Sequence, residues 1–415
     1  MNAIGTYKLS FLILFSMVCL VVLLTRCINE EKKEKQNTSA ESSSNKLAFA
    51  GSKSCASCHK DIYESHIQTG HFLSTIEARE EYIKGSFANG RNIFPFNNNV
   101  KVVMEKREDG LYQAAYLNDE KKREQRIDIV VGSGSKGQSF LHWKNEELVQ
   151  MPITYFTSAD QWSNSPGYPG KLVFDRPITS RCLECHTTYA EKIGDLAHGK
   201  ESFNKASVIL GVDCERCHGP AAKHVEFYTK GGDSSLATLI NIASLSRQQQ
   251  LDMCALCHGG RLNKTTASFS FKTGDKLSDH FVWDTISGAP EDIDVHGNQF
   301  GMLSASKCFV ASDMTCGSCH APHKNERNSL EVYSQRCINC HTSSHVEECG
   351  MTKKIGSSIS SNCVDCHMPM QPSKAIAVYL PGSTTASAAL LRSHVIKIYP
   401  ESSRSPLKKM PTIKK

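Results

Sequence analysis

Tryptophan is scarce in this chain, three residues in 415. The apolar fraction of 40% falls below the roughly 45–50% of an average globular protein, so side chains alone would pack a thin core. A cofactor-free enzyme fits that composition poorly. A strong charge of one sign is also missing. The formal +6 is small, and the closing lysines Lys408, Lys409, Lys414 and Lys415 have no aromatic residues between them. They read as a solvated basic tail over 397–415, with no nucleic-acid partner. Long apolar runs are lacking too: Leu9 to Leu24 is 16 residues, short of the roughly 20 that span a bilayer.

That apolar stretch follows Lys8 and has the length of a signal-peptide core, so the chain is expected to be exported. Residues 1–27 are read as a signal peptide or a lipoprotein or membrane anchor. Leu24-Thr25-Arg26-Cys27 resembles a bacterial lipobox, which makes Cys27 a lipidation candidate. Arg26 departs from the small residue expected there, and an uncleaved signal anchor is the competing reading. Residues 28–49 are charged and then serine-rich, and read as a flexible polar linker. The expected location is periplasmic, or the cell-surface side of a bacterial membrane, with the membrane engaged through this anchor.

What is abundant is cysteine, 18 residues, and histidine, 17. One pattern organises them: Cys55/Cys58/His59, Cys182/Cys185/His186, Cys214/Cys217/His218, Cys254/Cys257/His258, Cys316/Cys319/His320, Cys337/Cys340/His341 and Cys363/Cys366/His367. A histidine after all seven pairs has a random chance on the order of 10⁻¹⁰. Two thiols three positions apart match the two thioether bonds of a c-type haem, and the next histidine reaches the iron as proximal ligand. Zinc ribbons use cysteine pairs two at a time, and neither they nor adjacent disulfides need the histidine. The expected cofactor is therefore haem c, seven groups covalently bound. Their porphyrins would also supply the apolar bulk that the side chains lack.

Ten histidines lie outside the motifs, more than a second ligand for each iron requires. His224, His323 and His345 follow motif histidines so closely that each suits a neighbouring iron better than its own. His66, His142, His198 and His280 carry no assignment. Cys308 and Cys349 read equally as a disulfide or as two thiols.

Residues 50–396 are expected to form one heptahaem domain of mostly short α-helices and loops wrapped on haems. A small β insertion is expected over about 97–175, from alternation in Val100 to Glu105 and Leu111 to Leu117 around Asp109-Gly110, then Ile127 to Val131 and Ile153 to Thr157. Ser246 and Gln249 form a capping-box pattern ahead of Cys254. Gly132-Ser133-Gly134-Ser135-Lys136-Gly137 matches the dinucleotide glycine pattern in letters. The aromatic, strand-like Gln138 to Trp143 follows it, so a β turn is read and no nucleotide partner.

Residues 50 to 396 resemble the multihaem cytochromes grouped with cytochrome c-554. The resemblance rests on Gly51 to Cys55 with Thr69-Gly70-His71, Gly132-Ser133-Gly134, Ser165 to Tyr168, Cys217 to His224, Asp294 to Gly297, Cys319 to His323, and Cys366 to Pro369 with His394 beyond. It implies that His71, His224, His296, His323, His345 and His394 are distal ligands. Seven motifs replace the four of that tetrahaem group, so haem order does not carry over. No motif ends in lysine, which sets the chain apart from the related pentahaem nitrite reductases. The functional expectation is electron transfer along a row of haems between redox partner proteins in a respiratory pathway, with no catalytic residues assigned. The alternative is an oxidoreductase acting on a small nitrogen or sulfur compound at one five-coordinate haem.

Overall fold

The computed structural model describes residues 48–97, 99–168, 172–236, 238–284, 292–341 and 349–402. The signal segment with Cys27, nearly all of the linker, His345 and the tail beyond 402 lie outside these residues.

Antiparallel sheet and short helix share the fold. A four-stranded meander runs Ile93–Pro95, Val100–Arg107, Gly110–Leu117 and Glu120–Arg126. A nine-stranded sheet has the main order Thr75–Glu77, Ile129–Val131, Gly137–Lys144, Glu147–Gln150, Lys200–Phe203, Lys192–Leu196, with Ile153–Phe156, Gln161–Asn164 and Arg176–Pro177 paired alongside. The expectation of mostly short helices and loops with a small β insertion is thus corrected. Strands begin at Thr75, run past the Cys182 motif to Phe203, and return as the hairpin Met370–Tyr379 with Ala386–Arg392. The reason is physical. Glu120–Arg126 is an edge strand of charged residues with no buried position, so it carries no apolar alternation to read.

The two sheets bury one shared core. Val102 and Met104 of the meander meet Phe140, Ile153 and Trp162 of the larger sheet. Gln113, fully buried, ties them: its Nε2 donates to the Ile153 carbonyl at 2.8 Å and its Oε1 accepts from the Ile153 N–H at 3.1 Å. Gly85 is required here, because a Cβ would lie 2.3 Å from the Trp162 ring. The aromatic residues Tyr155 and Trp162 belong to this core.

The C-terminal hairpin joins the β region to the helical part. Val378 and Ala389 pack on Phe156, and the Tyr379 N–H donates to Asn164 Oδ1 at 2.5 Å. On its other side Asp294 accepts from Ser373 Oγ and from the Lys374 and Ala375 N–H groups, and also from the His296 N–H. Partial burial opposes ionisation of Asp294, but these bonds hold its pKa below the ordinary value. The hairpin thereby fixes the loop that carries His296.

Candidate haem-binding centres

The motifs end short helical turns: Ser180–His186, Cys214–His218, Arg247–His258, Leu330–His341 and Val364–His367 are helices, and Cys316–Ser318 is a 3₁₀ turn. In a helical turn the first cysteine and the residue four later share a face. The His59, His320 and His367 N–H groups donate to the carbonyls of Cys55, Cys316 and Cys363 at 2.8, 3.0 and 3.1 Å. The Arg247–His258 helix has the expected start, with Ser246 and Gln249 capping each other. No disulfide joins the described cysteines, Cys308 and Cys349 included.

Three of the cysteines assigned to haem attachment, Cys58, Cys182 and Cys340, are exposed, whereas their motif partners Cys55, Cys185 and Cys337 are half-buried. His59 and His341, the proximal histidines of the first and sixth motifs, are exposed, as are His258 and His320. The physical reason is position. Cys58 lies in the bend between the short helices Ser52–Cys55 and Lys60–His66, and Cys340 lies in the last turn of Leu330–His341, whose single buried residue is Ser334. A porphyrin joined to Cys58 or Cys340 would present that edge to solvent.

Distant histidines meet motif histidines. His71 faces His258 with ring centres 6.2 Å apart, His394 faces His320 at 6.3 Å, and His323 faces His218 at 6.1 Å. Two imidazoles bound on opposite sides of one metal, each by a nitrogen about 2 Å away, have ring centres roughly 6 Å apart. Burial holds the His186 imidazole below its ordinary pKa, and His296 adds to this. Three of the proposed distal histidines are therefore brought to three different motifs, and His296 lies within electrostatic reach of a fourth. His224 packs its ring on Tyr228, 4.8 Å away, in the helix Ala222–Lys230.

Local bonds prepare these rings. The Nδ1 atoms of His218, His367 and His394 lie 3.2, 3.0 and 3.2 Å from the carbonyls of Ile240, Lys397 and Arg392, and His258 Nδ1 lies 3.0 Å from Gln299 Oε1. An acceptor at Nδ1 fixes the tautomer and leaves Nε2 for a metal. Burial keeps the imidazoles neutral, the form that coordinates: His71 and His394 are lowered to about 4, and His258, His296 and His320 are lowered as well. Yet His71, His258, His296 and His320 remain accessible at their surfaces. Side chains surrounded by protein but still accessible line clefts, as residues that hold a large flat group must. The residues fit haem.

His71 is positioned by sequence far from it. Its carbonyl accepts from the Val212 N–H at 2.9 Å. Gly211 (φ +74°) passes so close to Phe72 that a Cβ would lie 2.4 Å from its carbonyl oxygen. Ser74 and Thr75 hydroxyls donate to the His186 carbonyl at 2.8 and 2.7 Å. The first, second and third motifs are thus laced into one body.

Cysteines of different motifs also touch. Cys55 lies in hydrogen-bond contact with Cys214, and Cys254 with Cys316. Cys185 and Cys257 cross reciprocally: each Sγ points at the carbonyl preceding the other, Leu256 and Glu184, at 3.8 Å. Cys337 lies within electrostatic reach of Cys319 and Cys363, and Cys254 within reach of Cys217.

One histidine escaped sequence reasoning. His66 is buried with neither ring nitrogen hydrogen-bonded. Its Nε2 lies 3.7 Å from Asp213 Oδ1, and its ring centre 6.1 Å from that of His323. Only its place on the Lys60–His66 helix, directly after the first motif, could have drawn notice. By contrast, His142 Nε2 bonds the Phe174 carbonyl at 3.0 Å inside the sheet, and His280 lies against Thr266, Ser270 and Asp275.

The family described as cytochrome c554 and c-prime matches residues 160–219, which hold the second and third motifs. The multiheme cytochrome MtrA of Shewanella baltica (strain OS185) is 27% identical over 177 residues, 39% of this chain and 51% of that one. The C-type polyheme cytochrome OmcB of Geobacter sulfurreducens (strain DL-1 / KN400) is 31% identical over 109 residues, 24% of this chain and 14% of that one. The chain thus spans about half the length of the first of these relatives and less of the second. The crystal structure of outer cell wall cytochrome OcwA shares the fold, with a TM-score of 0.53 at 16% identity over 86% of this chain and 81% of that one. Clefts lined by opposed histidines beside cysteine pairs, together with kinship to several haem proteins, make this chain a multihaem c-type cytochrome related to the cytochrome c554 group.

Proposed function

We propose that the chain is an exported electron relay with seven covalently bound haems, tethered by its N-terminus to the outer face of a bacterial membrane and passing electrons between redox proteins of a respiratory pathway. The observation that carries this reading is the pairing of motif histidines with distant ones, His71 with His258, His323 with His218 and His394 with His320. An iron held on both sides has no position for substrate, so its chemistry is confined to gaining and losing an electron. Haem supplies that one-electron chemistry, and the chain supplies spacing, burial and the fixed tautomers of its ligands.

The cysteine contacts suggest the order of transfer. Cys55 with Cys214, Cys217 with Cys254, Cys254 with Cys316, Cys319 with Cys337, and Cys337 with Cys363 string the first, third, fourth, fifth, sixth and seventh motifs in a row. Cys185 attaches the second motif to the fourth, so the fourth is a branch point. The exposed Cys58 and Cys340 suit places where electrons enter or leave the row. The leader, Cys27 and the polar stretch 28–49 support export and tethering.

Coulometric reduction of the purified holoprotein tests the proposal. Seven electrons taken up per chain, with no turnover of hydroxylamine, nitrite or tetrathionate, is the expected result. Turnover of any of these at enzyme-like rates would overturn it in favour of an oxidoreductase with an open iron.

A further inference from the structure

The glycine-rich turn Gly132 to Gly137 joins the strands Ile129–Val131 and Gly137–Lys144 as an antiparallel pair. Its shape is fixed, with Gly132 at φ +99° and Gly134 at φ +77°. The Thr157 hydroxyl and N–H donate to the Gly134 and Lys136 carbonyls at 2.7 and 3.1 Å. So rigid a turn presents its side chains in one direction. Ser133 Oγ accepts from Arg327 Nη1 at 3.2 Å. Lys136 is half-buried within electrostatic reach of Arg327 and Arg392.

This cluster is short of negative charge. Arg392 pairs with Asp365 at 2.8 Å, but among the described residues neither Lys136 nor Arg327 has a carboxylate partner. Burial lowers the pKa of both, and Arg327 and Arg392 lower Lys136 further. Lys136 is half-buried, and Arg327, though packed among neighbours, stays accessible to solvent, so an anion can reach and complete both cations. Arg327 also passes over Gly70, where a Cβ would meet its Nη2 at 2.8 Å. That places the guanidinium next to His71, which feels its charge, as His394 feels that of Arg392. Arg327 further lies near Tyr333, whose ring centre is 5.5 Å from that of His320. The cluster therefore stands between the His71/His258 pair and the His320/His394 pair.

The geometry points to a carboxylate receptor: Lys136 and Arg327, set by the Gly132 to Gly137 turn, bind the propionates of the haems held at His71/His258 and His320/His394. This rests on the haem reading of those two pairs. Each haem brings two propionates, and Arg327 offers the planar fork that carboxylates accept. Free oxyanions share that chemistry. A substrate oxyanion would gain nothing here, since the histidines of each pair would occupy both sides of an iron held between them. The site sits at the branch point, where a cation on a propionate raises the affinity of the iron for an electron.

Potentiometric titration of the haem-loaded protein tests the assignment, comparing the natural chain with Arg327→Gln, Lys136→Gln, the double variant and Lys121→Gln on the meander as control. The double variant is expected to retain its full haem count while one or two haems become harder to reduce. The expected change is about tenfold in the reduced-to-oxidised ratio at fixed potential, or about 59 mV for one electron. Arg327→Lys should restore part of this, and Lys121→Gln should change nothing. Potentials unchanged in the double variant would overturn the proposal. So would a saturable response of the natural chain to inorganic phosphate that the double variant loses, which would mark a site for free anions. A haem count too low to fill the two motifs would fail differently, removing the underlying reading before any potential is compared.

Discussion

The β region and the motif-bearing helices solve the problem of an interior in opposite ways. In the strand Ile153–Phe156 all four residues are buried, and Met104, Phe140 and Trp162 close the space between two sheets with side chains alone. Among the helices that carry or follow the motifs burial is uneven: Arg247–His258 buries Leu251, Asp252, Ala255 and Leu256, but Ala222–Lys230 and Thr352–Ile355 bury nothing and Leu330–His341 buries only Ser334. A sheet pair with its own core stands without a cofactor. Helices that bury so little need a flat apolar body to pack on.

Withholding haem should break this contrast most sharply. In a chain made without haem, limited proteolysis with mass spectrometry should show Leu330 to His367 digested while a fragment spanning Ile93 to Asn164 persists. Equal resistance of both parts would contradict the comparison. Next in size, Trp162→Ala should cost about 3–5 kcal/mol, since Trp162 is buried, packs on Phe87, Phe140 and Tyr155, and donates to the Ser86 carbonyl at 3.0 Å. Denaturant melts should register that loss while the haem spectrum is unchanged.

Two histidines sharpen the comparison further. His71→Ala should convert one haem to high spin, because its ring faces His258. His142→Ala should leave every haem as it was and cost on the order of 1 kcal/mol for the bond to Phe174. The smallest effect concerns pH on the meander surface. Bonds from Arg107 and then Lys121 hold Glu124 down to about 2, from an ordinary 4.5. The folded state therefore releases this proton more readily than the unfolded chain. The resulting stabilisation is complete above about 4.5 and is lost as pH falls towards 2. Because the pair is partly exposed, solvent screening limits it to about 0.5 kcal/mol. Arg107→Met should flatten the stability profile over that interval.

Local features were legible in the sequence. The alternation of Val100 to Glu105 and Leu111 to Leu117 gave two strands, and Ser246 with Gln249 gave a helix start that the structure has. The seven motifs were legible because covalent attachment fixes their spacing. Their unequal burial was not, since Cys58, Cys182 and Cys340 read like every other motif cysteine and yet face solvent. The extent of sheet was hidden as well. Glu120–Arg126 faces water on an edge, and Lys192–Leu196 with Lys200–Phe203 are brief strands whose partner, Glu147–Gln150, lies far back in the chain. The pairing of His71 with His258 and of His394 with His320 was likewise out of reach, since their meeting depends on the Gly211 crossing and the C-terminal hairpin rather than on neighbouring residues. His66 was passed over because burial is a property of the fold, not of the segment.

The central claim is that motif irons are held between two histidines. Electron paramagnetic resonance of the oxidised holoprotein, with carbon monoxide added to the reduced form, tests it most directly. Low-spin signals accounting for all haems, and no spectral shift with carbon monoxide, are the predicted result. A high-spin component that binds carbon monoxide at the fourth or fifth motif would contradict the account.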